Sequence, residues 1–224
     1  MNATLDPALA GAGAPAPRAA NTARLVYPHE RRLGAITLAL GLLGWLALVL
    51  GTFGIVLIYL LLGFVAYLFV QSALMAYLRG TAAHLTAQQF PDLHAQYLEC
   101  CARLGIAEPP EAYVLHGDGL FNAFATRFMG RDFVVLLSDV VDAMEGHPDG
   151  VRFYLGHELG HVHRRHLSGA KWRAPAAWLP LLGAAYARSR ESTCDRYGRA
   201  CCASAEGAAR SLALLAAGGN AGAR

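Results

Sequence analysis

Between Leu33 and Leu78 the chain carries no Asp, Glu, Lys or Arg. As one helix this stretch would run about 69 Å at ~1.5 Å per residue, roughly twice the ~30 Å hydrocarbon core of a bilayer. It must therefore fold back, and Gly51-Thr52-Phe53-Gly54 is the natural turn. The expected unit is a transmembrane helical hairpin, near 34–51 and 55–78, because no polar face interrupts either segment as it would in a soluble helical pair. Arg18, Arg24, Arg31 and Arg32 precede the hairpin, Arg79 follows it, and the connecting turn has no charge. The positive-inside rule then puts both ends in the cytoplasm. With an Ala-, Gly- and Arg-rich composition suggestive of a bacterial genome, this reads as an integral protein of a bacterial inner membrane, with the lipid bilayer as its first partner.

The remainder divides around that hairpin. Residues 1 to about 22 are rich in Ala, Gly and Pro and read as a disordered tail, with the region before the hairpin extending to 32. They are not a secretory signal, because the apolar stretch starts too late and runs too long. Residues 79–224 form the expected cytoplasmic domain, α+β in class and mostly helical with a small antiparallel sheet. A helix is predicted over 82–104, broken or kinked at Pro91. Strands are predicted at Ala112–His116, Phe121–Phe128 and Phe133–Leu137, and helices near 150–168 and 186–204. Between those helices lies an apolar patch, Ala174–Ala187, too short to span a membrane and flanked by Trp172 and Trp178. It reads equally as a surface-dipping segment or as an apolar wall of a cleft. The chain closes on AAGGNAGAR, which suggests a shortened C-terminus or a trailing tail.

Charge and cysteines remove other classes. A formal net charge of +3, with no basic run interleaved with aromatics and no phosphate loop, gives no case for nucleic acid. Five cysteines, two pairs of them adjacent, lack any CxxC spacing. Neither a disulfide framework nor a cysteine zinc site is supported, and small buried apolar residues in a reducing compartment are expected.

The chemistry concentrates in Tyr154-Leu-Gly-His-Glu-Leu-Gly-His-Val-His. His157 and His161 are four apart, so on a helix they stand on one face where a single zinc can take both nitrogens. Glu158 projects about 100° round from His157, able to reach a water on the metal without ligating it. Val151, Leu155, Leu159 and Val162 form the apolar arc that buries this helix. His166 falls on that arc and reads as packing or helix-end structure, while His163 faces solvent. Chance placement would give HExxH in roughly one such sequence in eighty, so a third ligand decides the matter. Glu191, thirty residues after His161, can supply it from a second helix, and Asp195 one turn later can fix the tautomer of a ligand histidine. Two His and one Glu leave a position open for water, the pattern of a catalytic zinc, one per chain. The metzincin pattern is excluded, since it needs Gly and His where this chain has Arg164 and Leu167. Glu158 would then act as general base in peptide hydrolysis. His147, Arg190 and Tyr197 are the candidate donors to the oxyanion.

The hairpin, Asn122-Ala-Phe-Ala125, His157-Glu158-x-x-His161 and Arg190-Glu191-x-x-x-Asp195, in that order over roughly residues 33–205, resemble the HtpX-like membrane zinc endopeptidases, relatives of the CAAX prenyl proteases. The resemblance implies a zincin-type domain and a role in membrane-protein quality control. It also implies that Asn122, Ala123 and Phe124 belong to a strand that binds extended peptide or protein substrate. Members of that family often carry two longer apolar segments where this chain has only 174–187, and Cys194 stands where Ala is common. Two rivals remain. An intramembrane protease would have to bury His163, Arg164, Arg165 and His166 in lipid, which is costly. A non-catalytic zinc-containing membrane protein that binds unfolded or partner chains is opposed only by the presence of Glu158.

Overall fold

The computed structural model describes residues 19–117, 123–144 and 146–217. After a short helix α1 (Thr22–Leu25), two long apolar helices follow, α2 (Glu30–Gly51) and α3 (Ile55–Thr81). Both are long and apolar enough to cross a membrane. The turn between them falls at the expected glycine, where Gly54 takes φ +83° and its N–H donates to Val49 O at 2.8 Å. Phe53 at the tip is 96 % exposed.

A two-residue strand β1 (Ala83–His84) comes next, and only then does a helix start, α4 (Pro91–Arg103). Pro91 therefore begins this helix instead of kinking a longer one, as suits a residue whose missing N–H costs nothing in the first turn. β2 (Glu111–Leu115), β3 (Ala123–Phe128) and β4 (Arg131–Leu137) complete a four-stranded sheet. The sheet is mixed, which corrects the antiparallel expectation. Its order is β1-β2-β4-β3, with β2 and β4 parallel and the other two pairings antiparallel. The physical reason lies in the β3–β4 hairpin. Met129 and Gly130 both take positive φ (47° and 86°), the geometry of a tight primed turn, so β4 folds directly onto β3 and offers its other edge to β2. β3 is thereby an edge strand.

The chain continues through α5 (Ser138–Ala143), α6 (Pro148–His163), α7 (Ala170–Ala177), α8 (Pro180–Cys201) and α9 (Ala205–Ala217). One face of the sheet, with Ala112, Val134 and Leu136, packs on α4, α6 and α8 in the main core. The other, with Tyr113, Phe133 and Val135, covers Met75 and Leu78 at the end of α3. All five cysteines are free and buried, as expected.

Two regions differ from the sequence reading. Residues 20–30 are docked, with Ala20 N–H on Arg103 O (2.7 Å), Tyr27 N–H on Thr193 Oγ1 (2.9 Å) and Glu30 only 3 % exposed. The 174–187 patch forms the corner between α7 and α8 and lies against α2. A side chain at Gly44 would meet Pro175, and Trp45 Nε1–H donates to Lys171 O at 3.1 Å. It does not wall the histidine cleft, and its corner exposes Trp178 and Leu181, each 87 %.

Candidate metal centre

α6 and α8 meet across glycine. Gly156 and Gly160 on one helix and Gly198 on the other leave no room for a methyl group, so the two backbones lie in close contact. Val151, Leu155 and Leu159 bury the far side of α6 in the core, while Cys194 and Tyr197 of α8 lie buried in the seam against Gly160. What remains at the mouth of the seam is His157 and His161 from one helix, Glu191 and Asp195 from the other.

Glu191 Oε2 lies 3.3 Å from His157 Nε2 and 3.5 Å from His161 Nε2. Tetrahedral bonds of about 2.0–2.2 Å place neighbouring donors roughly 3.3–3.5 Å apart. The two observed separations match that edge, so the residues fit a zinc-sized ion. Asp195 Oδ1 lies 3.0 Å from His157 Nδ1, on the side of the ring away from Glu191. His157, His161 and Cys194 also form a group with donor atoms within 4.8 Å of one another, capable of holding a metal. Cys194 is fully buried and does not line the cleft, whereas Glu191 does.

Charge is tuned around these groups. Burial disfavours the His157 imidazolium, but hydrogen bonds with Asp195 and Glu191 and the charge of Glu158 outweigh it and raise the group to about 9. Hydrogen bonds from His157 and His161 hold Glu191 well below the usual carboxylate range. Glu158 is 9 % exposed, and burial raises its carboxyl despite both histidines and a hydrogen bond from the Ala125 backbone. A cavity of about 560 Å³ opens over the group, lined by Ala123, Phe124 and Ala125 of β3, by Phe153 and Tyr154, and by Leu167 and Leu212.

The three oxyanion candidates do not line this cavity. His147 sits at the N-terminus of α6 in a separate pocket with Asp149 and Arg210. Arg190 stacks on Tyr186, 5.4 Å from its ring, and Tyr197 is buried with its hydroxyl 3.0 Å from His163 Nδ1. Asn122 lies outside the described residues. Two residues went unnoticed in the sequence. Tyr154 borders the cleft, and its buried hydroxyl has no hydrogen-bond partner among the described residues; its place one turn before Glu158 was the available signal. Glu30 lies behind the histidines and gave no local signal beyond being the last acid before the apolar stretch.

A histidine pair on one helix faces an acid on the next, beside a cleft edged by the sheet. Residues 87–171 match the model of Peptidase family M48, the family containing HtpX and the CAAX prenyl endopeptidases, and this similarity suggests a metallopeptidase. The matched stretch includes His157, Glu158 and His161 and stops before Glu191 and Asp195. Neither a curated protein nor a solved structure matches the chain.

Proposed function

We propose that this chain is a membrane-anchored, zinc-dependent endopeptidase of the HExxH gluzincin type. One zinc is held by His157, His161 and Glu191, Glu158 is the general base, and Asp195 orients His157. The single observation that carries the reading is the meeting of two imidazole Nε2 atoms and one carboxylate oxygen at 3.3 and 3.5 Å beside a buried glutamate. Zinc, when bound there, supplies Lewis-acid activation of water and of the scissile carbonyl. Glu158, raised by burial, takes a proton from the attacking water at its carboxylate and hands it to the departing amine nitrogen. Ala123 and Phe124 belong to the edge strand β3 beside the cleft, along which an extended substrate backbone can pair.

Membrane-protein quality control is the role that fits this site on a two-helix anchor, with both helix ends in the cytoplasm by their arginines and the bacterial inner membrane as host. The test is zinc content and casein cleavage on detergent-purified full chain, beside Glu191→Ala and Glu158→Gln. One zinc per chain in the wild type, lost with Glu191→Ala, together with cleavage lost in both variants, is the expected pattern. Zinc without cleavage would favour a non-catalytic protein that binds unfolded or partner chains. No zinc in the wild type would overturn the proposal.

A further inference from the structure

His161 has a second neighbour on the side away from Glu191. Its Nδ1 lies 3.1 Å from Nδ1 of His166, and His166 Nε2 lies 3.3 Å from Oε1 of Glu30. Glu30 is the first residue of α2, is 3 % exposed, and sits 131 positions before His161. The same Oε1 accepts from Arg164 Nε at 3.2 Å and Nη2 at 2.9 Å.

The proton positions follow from what each atom can do. A carboxylate only accepts, so His166 Nε2 carries the hydrogen that points at Glu30. Two ring nitrogens 3.1 Å apart share one proton, so one of the Nδ1 atoms donates and the other accepts. A cationic His166 would be a second buried positive charge on a carboxylate that already accepts twice from Arg164. Neutral His166, protonated at Nε2, accepts at Nδ1. When a metal takes the Nε2 atom that otherwise donates to Glu191, His161 therefore keeps its one hydrogen on Nδ1, pointed at His166.

We propose that Glu30 and His166 are positioning residues for the metal, fixing the tautomer and ring orientation of His161 as Asp195 does for His157, so that the start of the first membrane helix is part of the metal site. This rests on the reading of His161 as a ligand. Partners of this kind orient a ligand and raise its basicity, and their loss costs about 10–100-fold in metal affinity.

The experiment is a zinc competition titration against a chelating dye, on full-length protein in detergent, with a melt of each apo protein. Glu30→Ala and His166→Phe should each weaken zinc by about 10–100-fold, and Glu30→Gln, which keeps an acceptor, should stay near the wild type. Because Glu30 acts through His166, the double variant should bind no worse than His166→Phe alone. A purely structural role would give additive losses instead. Additive losses, or wild-type affinity in both single variants while Glu191→Ala loses zinc, would overturn the inference. If Glu30→Ala does not fold, His166→Phe decides alone. Absence of zinc from the wild type would instead remove the ligand reading, and this inference with it.

Discussion

Substituting Gly156 by Ala tests whether the close approach of α6 and α8 is what assembles the site. A methyl group there would lie 2.9 Å from Gly198 Cα and 2.7 and 3.0 Å from Cys201 Sγ and Cβ. Carbon contacts settle at about 3.5–4.0 Å, so the seam must open by roughly 0.6 Å or more. The cysteine sulfur can swing aside, but the Gly198 backbone cannot. Overpacking of this kind costs about 1–3 kcal/mol, offset by the ~1 kcal/mol that Ala gains over Gly in a helix, for a net loss of up to about 2 kcal/mol. The effect on the metal should be larger in proportion. His157 and His161 ride on α6 and Glu191 on α8, and a site of this kind tolerates only about 0.5 Å of error. Zinc affinity in a dye competition should fall at least tenfold, with a modest drop in melting temperature. Gly63→Ala, where a methyl group meets nothing within 4 Å, is the control and should leave zinc binding unchanged. If Gly156→Ala binds zinc and melts as the wild type does, glycine-mediated contact does not set the ligand geometry and the reasoning fails.

Cys194→Ala should leave zinc affinity intact where Glu191→Ala abolishes it; the reverse in the same titration would make the buried thiol the third ligand. Tyr154→Phe should lower kcat with little change in zinc content if its unpartnered hydroxyl serves substrate in the cleft, and steady-state kinetics on a peptide would show an unchanged kcat if it does not. Asp149 ties the start of α9 to α6, accepting from Ala203 N at 2.7 Å and from Ser204 N and Oγ at 3.0 Å. Burial alone would raise this carboxyl, but those hydrogen bonds win and lower it below its ordinary 3.8. Its stabilisation is therefore complete above pH ~4 and is lost as pH falls through the depressed folded value. Hydrogen exchange in α9 should accelerate in that acid window, and Asp149→Asn should show fast exchange already at neutral pH.

Much of this was legible because the signals are local. A run without charge must fold back, and histidines four apart on an apolar-backed helix must share a face, whatever surrounds them. What escaped notice depends on distant partners. Glu30 reads as a solvated acid until Arg164 and His166 are brought to it, and Asp195 against His157 could be anticipated only because both lie on long helices. The oxyanion candidates failed for a related reason. Being near the motif in sequence put His147 at the far end of α6, while Arg190 and Tyr197, on the ligand helix itself, point round its circumference to Tyr186 and His163.

The mixed sheet bears directly on function. A simple antiparallel meander of the three predicted strands would put β3 in the middle, with both backbone edges used and none left for substrate. In the observed order the parallel pairing of β2 with β4 sends β3 to the edge, against α6, where the Ala125 N–H already reaches Glu158. The strand that hydrogen-bonds Glu158 is thus the edge strand, and under the proposed function a peptide paired along it would pass Glu158 and the Nε2 atoms. The charged run after the motif finds its place by the same logic. Arg164 and His166, too costly for lipid if unpaired, face the buried Glu30 at the mouth of α2. Those contacts join the start of α2 to the end of α6, next to His161.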